Sequence, residues 1–302
     1  MRQNKLREVI ARATQSLIDA GVASPHVDAR LIAAHLLDVP PTQLVLAEIP
    51  DGADGADGAD GVDGLDSWGG FEKTYAALIA RRANREPLQH IVGAAPFGVH
   101  DLKVGPGVFI PRPETEVLAE WAVSQKPTGT VVDLGTGSGA LAIYIAQGAK
   151  PERVIGVEKS AVARETAAAN AAPLPNVEII AGDMTDPDLL AELSGTVDLI
   201  VANPPYVPYV PPETGELEPE VYHDPVDAVF SGADGMDAIR GLVPVAARLL
   251  APGGKLGIEH DDSTAEITRA VVESSGSFED IRNVPDLAGR ARFVTASKLR
   301  TN

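Results

Sequence analysis

From residue 128 onward the chain alternates two kinds of segment, and that alternation leaves few folds open. TVVDLG, RVIGVE, VEIIAGD, VDLIVANPP and GKLGIEH are short apolar runs, each the length of a buried strand. Helical stretches such as LAIYIAQ and AVARETAAANA lie between most of them. Strand and helix in alternation at this spacing require a mostly parallel sheet covered on both faces. Such sheets bind ligands at the carboxyl ends of their strands. The polar motifs fall there: Asp133, Glu158, Asp183 and Asn203 each lie at the end of an apolar run. The expected fold class is α/β.

The first third reads differently. Leu6, Val9, Ile10, Ala13 and Leu17 recur at the three-four spacing of one helix face. Gly21 suits the end of that helix, and Ser24-Pro25 reads as a cap with proline at the first helical position. Leu31, Ile32 and Leu36 continue a second helix, and Phe71, Tyr75, Leu78, Ile79 and Arg82 a third. A small helical bundle is expected over residues 1–84. Residues 85–112 are rich in Gly and Pro around apolar pairs such as Ile91-Val92 and Phe109-Ile110, which predicts a bridging β-hairpin. The strand–helix domain is then expected over 113–302.

Inside the bundle lies PDGADGADGADGVDGLD, residues 50–66, with Asp at every third position from Asp51 to Asp66. Mutual repulsion of the carboxylates and the entropy of the glycines predict a mobile loop. A calcium site is the sharper alternative, but the segment lacks the ligand spacing and closing Glu of an EF-hand. No metal is expected.

Charge narrows the partners. The net charge is −18 over 302 residues, so the surface as a whole repels nucleic acid, whose binding draws on Lys and Arg neutralising phosphates. A basic protein partner suits it better. The chain has no cysteine, which excludes disulfides, thiolate nucleophiles and Cys-ligated zinc. Its start, MRQNKLREVIARATQSL, has interspersed charges and no apolar signal core. No stretch approaches the ~20 apolar residues of a membrane span. A soluble, cytoplasmic protein with no membrane partner is expected.

The run VVDLGTGSGALA carries the first candidate site. A strand ends at Asp133-Leu134, and Gly135, Thr136, Gly137, Ser138 and Gly139 lead into a helix. The glycines permit a sharp turn and close approach of a ligand; a plain tight connection is the alternative. The spacing is G-x-G-x-G, not the G-x-G-x-x-G of a dinucleotide fold, which favours a ligand without a diphosphate. Asp133 is placed to accept from an ammonium or from loop amides. Glu158 stands about 20 residues on, where an acid can hold a ribose diol, or else is simply a solvated acid after a strand. Asp183 and Met184 close the third strand, placed to accept from an adenine amino group and to pack on its ring.

Asn203-Pro204-Pro205-Tyr206 follows VDLIVA. Prolines end strand ladders, so mere punctuation is one reading. The other is a clamp for a planar NH2 group. The Asn203 side-chain oxygen and the Pro204 carbonyl would take one hydrogen each, with Tyr206 as a flat wall. A conjugated nitrogen is a weak nucleophile, and two acceptors orient it and raise its electron density. Positioning and electrostatics then carry the reaction without a strong base. His223 and His260 are accordingly read as structural.

Together, VVDLGTGSGALA, VIGVE, GDM and VANPPYVP resemble the class I S-adenosylmethionine methyltransferases of the NPPY group. NPPY is shared with enzymes that methylate adenine N6 in nucleic acid, so it leaves the substrate open. RRANREPLQHIVG, FIPRPETE, EPEVYHDPVDAVFSGADGMDAIRGL and GGKLGIEH are similar to segments of the release factor glutamine methyltransferases. The resemblance covers nearly all of residues 71–297. It implies a Rossmann-like sheet and S-adenosyl-L-methionine as cofactor, with S-adenosyl-L-homocysteine as product. It implies methylation of the side-chain N5 of the GGQ glutamine in peptide chain release factors 1 and 2, without direct nucleic-acid binding. Gly135 to Gly139, Glu158, Asp183, Met184 and Asn203 would contact cofactor. Asn203, Pro204, Pro205 and Tyr206 would hold the glutamine, with Asn203, Pro204 and Tyr206 catalytic. Phe109, Arg112 and Thr115 would lie near the methionine end of the cofactor, unless Arg112 only pairs with Glu114 or Glu116. Glu218 and Glu220 are candidates for the substrate mouth. Two other readings stay open: an adenine N6 methyltransferase, and a cofactor-sensing module without catalysis.

Overall fold

A computed structural model describes residues 2–46 and 67–300. The Asp-Gly-Ala stretch, with the expected loop and the calcium alternative, lies outside the described residues. Two compact units divide at Gly93/Ala94, within the segment expected to link the domains.

The first unit contains α1 (Arg2–Asp19), α2 (Pro25–Leu36), α3 (Trp68–Ala83) and the short α4 (Leu88–Val92). Leu6, Val9, Ala13 and Leu17 are buried against Ile32, Phe71, Tyr75 and Ile79, so the helical period sets the core. Ser24 precedes α2, but its side chain makes no capping bond. Buried polar ties cross the bundle as well. The Tyr75 hydroxyl donates to the Ala29 carbonyl at 2.8 Å, and buried Arg82 pairs with buried Asp28 at 2.7 Å. Removing either partner of that pair strands a charge away from water.

The second unit opens with a hairpin, β1 (Ala94–Phe97) and β2 (His100–Lys103), so the expected hairpin is much shorter than 85–112. Next come α5 (Thr115–Ser124), β3 (Thr130–Leu134), α6 (Ala140–Gly148), β4 (Arg153–Glu158), α7 (Ala161–Ala171), β5 (Val177–Ala181) and β6 (Val197–Ala202). After a long excursion come α8 (Val226–Val229), α9 (Asp237–Leu249), β7 (Leu250–Glu259), α10 (Ala265–Ser274), β8 (Phe278–Pro285) and β9 (Ala291–Lys298). The sheet order is β5-β4-β3-β6-β7-β9-β8. β3 to β7 pair in parallel, and β9 is antiparallel to both neighbours. The closing pair β8–β9 carries charges, Thr and Ser between its apolar residues, so it lacks the continuous apolar runs that mark the inner strands.

Alternation along the strands divides the core between the two faces. Val132, Leu134, Ile155, Val157, Ile200 and Ala202 pack with α9 and α10 residues such as Leu242 and Val272. Val131, Val154, Leu199 and Val201 pack with Leu118 and Ala122 of α5 and with Ile145 of α6. Asp133, Glu158, Asn203 and Glu259 have the parity of the second set. They therefore emerge on the α5–α6 face.

Candidate active site

Strand order reverses between β3 and β6: strands added after β3 build out to one side of the sheet and those from β6 to the other. A crevice opens at such a switch point. Leu134 pairs with Val157 on one side and with Ala202 on the other, and Ala202 pairs with Ile258. One residue further along, Glu158, Gly135, Asn203 and Glu259 form a single row across four strands. Sheet register alone brings together residues 135, 158, 203 and 259.

Above this row lies a cavity of about 510 Å3, a size suited to a nucleoside-sized ligand. Gly135, Thr136, Gly137, Ser138, Glu158, Asp183, Met184, Asn203, Pro205, Phe109 and Thr115 line it, as does Asp133. Gly139, Pro204, Tyr206 and Arg112 are not on its wall. Gly139 instead starts the helix behind the turn. At φ +88° it begins α6, and a Cβ there would lie 3.2 Å from Ile143 Cδ1.

The glycine turn is anchored by the two strand-end carboxylates. Glu158 accepts from the Gly137 amide at 2.9 Å and from the Ser160 amide at 2.8 Å. Asp133 is fully buried; its Oδ2 accepts from the Thr136 hydroxyl at 2.6 Å and the Ala142 amide at 3.2 Å. Burial, opposed by these two bonds, pushes its pKa up to about 7. Its Oδ1 is buried with no protein partner. An orphaned carboxylate oxygen on a cavity wall is matched by a cationic ligand group. Gly135 has φ +79°, and a Cβ on it would sit 2.5 Å from the Met184 methyl. The unpartnered oxygen and the Cβ-free turn fit the α-ammonium and backbone of S-adenosylmethionine.

Asp183 differs from the expected free acceptor. Its Oδ1 accepts from the amide and hydroxyl of Thr185, at 2.9 and 2.7 Å. Its Oδ2 lies 3.3 Å from Lys159 Nζ. The Thr185 bonds, ahead of Lys159, hold its carboxyl below the usual range.

The far side of the cavity is assembled from distant segments. Asn203 Nδ2 donates to Thr115 Oγ1 at 3.2 Å. The Thr115 hydroxyl donates to Glu259 Oε2 at 2.8 Å, and the Tyr206 hydroxyl donates to Glu259 Oε1 at 3.1 Å. The hydroxyl of Tyr206, whose ring is expected to form a flat wall, is thus turned to a buried carboxylate. Burial raises the Tyr206 pKa, with Glu259 adding to it. Burial also pushes Glu259 up to about 7, against the pull of Thr115, Tyr206 and Arg292. Sequence reading missed Glu259. Its signal was visible: an acid ends GKLGIE just as Glu158 ends RVIGVE.

Arg112 does not pair with Glu114 or Glu116. Its Nη2 meets Asp224 Oδ2 at 2.6 Å, and its guanidinium lies 5.1 Å from the Phe109 ring centre. Glu116 instead accepts from the Gly98 amide at 3.0 Å, and Glu114 lies 3.7 Å from Arg290. Asp224 belongs to the excursion after Tyr206. A bridge between Val207 and Phe230 closes that excursion, and Tyr209 and Tyr222 pack on the Phe230 ring at 5.3 and 6.0 Å. Pro225, Ala228 and Ser231 from its returning limb complete the cavity wall. Glu218 is exposed and Glu220 half-buried on the same excursion, and neither reaches the wall. His223 is exposed. His260 is buried with Nδ1 2.8 Å from the Asp261 carbonyl, and burial lowers its pKa. Among the described residues no helix is long and apolar enough to cross a membrane, and no acid–histidine cluster suits a metal ion.

Comparison with known proteins bears on the whole chain. Residues 104–210 match the family model of the methyltransferase small domain, and residues 8–49 that of the PrmC N-terminal domain. A release factor glutamine methyltransferase of Corynebacterium glutamicum is 51% identical, covering 97% of this chain and 99% of that protein. Another, of Mycolicibacterium smegmatis, is 49% identical, covering 98% of both. A 4-amino-L-phenylalanine/4-methylamino-L-phenylalanine methyltransferase of Streptomyces pristinaespiralis is 35% identical, over 93% of this chain and 91% of that protein.

Proposed function

The chain belongs to the release factor glutamine methyltransferases, and from that premise we propose that it methylates the side-chain N5 of the GGQ glutamine in peptide chain release factors 1 and 2, in the cytoplasm. The observation that carries the reading is the polarity of Asn203: its Nδ2 is bound to Thr115, which leaves Oδ1 to accept from a group in the cavity.

S-adenosylmethionine supplies an electrophilic methyl whose S–C bond breaks as the new N–C bond forms, leaving S-adenosylhomocysteine. Asp133 Oδ1 would hold the ammonium of that cofactor, and Glu158, which fixes the glycine turn, would hold the ribose. Met184 and Asp183 would contact the purine. Asn203 Oδ1 takes one hydrogen of the glutamine NH2; the Pro204 carbonyl, which does not line the cavity, is the motif's candidate for the other. The amide lone pair is delocalised into its carbonyl, so these acceptors offset the positive charge that grows on nitrogen. They also hold that nitrogen in one attack geometry. The acidified nitrogen then gives up its proton to water. Pro205 and the Tyr206 ring bound the space for the glutamine side chain. Phe109 and Thr115 border the methionine end of the cofactor. The net charge of −18 suits a basic protein partner.

Incubation with methyl-labelled cofactor tests the reading against its rivals. Label is expected in intact release factor and absent from a version whose GGQ glutamine is alanine. Label in DNA instead would favour adenine N6 methylation. The arylamine relative gives one more rival, free 4-amino-L-phenylalanine, and preferential label there would replace the protein substrate.

A further inference from the structure

An asparagine side chain has two nearly isosteric ends, and only one serves the chemistry proposed above. With Oδ1 toward the cavity it accepts from an NH2 group. With Nδ2 there it presents hydrogen to hydrogen, and the interaction becomes repulsive. Something must therefore choose the orientation. The backbone does not, because rotation about the last side-chain bond exchanges the ends at little cost.

The choice is made by a relay of three hydrogen-bonded side chains. Glu259 closes β7 and is 2% exposed. As a carboxylate it only accepts, and it takes the hydroxyl protons of both Thr115 and Tyr206. Thr115, 3% exposed at the start of α5, has one hydroxyl proton and has donated it to Glu259. What it offers Asn203 is a lone pair, and the partner it meets is Nδ2 at 3.2 Å. Directionality thus runs from Glu259 through Thr115 to Asn203, and the last link leaves Oδ1 facing the cavity. Resting on the glutamine-clamp reading, we propose that Thr115 and Glu259 are positioning residues that fix the Asn203 amide in its acceptor orientation. They make the site selective for a substrate that offers N–H hydrogens. Tyr206 steadies Glu259 from its other oxygen.

The test uses the full-length enzyme with release factor and labelled cofactor. Thr115→Val keeps the shape and removes the hydroxyl. It is expected to lower kcat roughly 10- to 100-fold, somewhat less than outright loss of a transition-state partner, with cofactor Kd within about twofold. Thr115→Ser keeps the hydroxyl and should restore kcat to within about threefold. Glu259→Gln, which can accept from only one of its two donors, should move kcat in the same direction as Thr115→Val. Combined with Asn203→Ala, Thr115→Val should add less than about twofold, since a residue acting through another loses its effect when that other is gone. Four results would each overturn the inference: Thr115→Val with near-normal kcat, Thr115→Ser as slow as Thr115→Val, cofactor affinity falling in step with kcat, or an undiminished Thr115→Val effect on the Asn203→Ala background. Failure of the underlying reading looks different. In that case Asn203→Ala itself retains normal turnover, whatever the Thr115 variants do.

Discussion

The two walls of the cavity are built by different means. On the β3–β4 side the ties are short in sequence: Thr136 to Asp133 spans 3 residues, Ala142 to Asp133 spans 9, and Gly137 to Glu158 spans 21. On the β6–β7 side they are long. Asn203 to Thr115 spans 88 residues, Thr115 to Glu259 spans 144, and Tyr206 to Glu259 spans 53. The first wall is a local device in which carboxylates hold backbone amides. The second is a side-chain circuit that exists only once the sheet has assembled. One consequence is functional: the first wall is suited to holding a ligand, and the second to choosing an orientation.

Substitutions on the two walls should therefore separate in kinetics. Asn203→Ala is expected to have the largest effect, a loss of about 100-fold or more in kcat. Calorimetry should find its cofactor affinity almost unchanged; a parallel loss of cofactor binding would erase the distinction between the walls. Asp133→Asn should do the opposite, weakening cofactor binding about 10-fold or more through loss of a charge-assisted hydrogen bond while leaving kcat at saturation nearly intact. The pH dependence sharpens this. A folded-state pKa of about 7 lies well above the ~3.9 of an unfolded Asp. The protonated side chain therefore favours the cofactor-free fold below pH 4, and that contribution is lost as pH rises to 7. A ligand ammonium requires the carboxylate, so cofactor affinity should climb between pH 6 and 7.5 in the parent protein and stay flatter in Asp133→Asn. Titration calorimetry across that range is the check.

The smallest effect is expected at Arg112, which touches neither reacting group. Its side chain is 39% exposed, which screens its own end of the pair, but the Asp224 carboxylate it meets is fully buried, so losing Arg112 takes one partner from a buried charge. Arg112→Ala should loosen the excursion that carries Pro225 and Ser231. It should raise the KM for release factor by a few-fold, with little change in kcat. A kcat loss comparable to that of Asn203→Ala would place Arg112 in the reaction itself.

The same contrast explains what was legible in the sequence. The sheet showed itself because β3, β4, β6 and β7 are apolar runs with an acid or amide at their ends. The glycine turn and Asn203 showed themselves because each is a contiguous word. The Thr115–Glu259 link did not, since neither residue carries its partner in its own neighbourhood and only register brings them together. The alternative pairing of Arg112 with Glu114 or Glu116 failed for a related reason: those acids are near in sequence, whereas its partner Asp224 is 112 residues away. Tyr206 was read by its ring and its place in the motif, and the buried acceptor that claims its hydroxyl lies on another strand. β8 and β9 escaped because a pair at the sheet margin mixes polar residues into its faces.

The shared row of Glu158, Gly135, Asn203 and Glu259 also sets what the chain can tolerate. Segments between strands that carry none of the site's side chains are free to lengthen, shorten or be exchanged, because nothing in the row depends on their length. Deleting a single residue within Val197–Ala202 would instead turn residue 203 to the opposite side of the sheet. Grafted loops are therefore the route by which this scaffold could acquire a new macromolecular target, while its inner strands must be inherited whole.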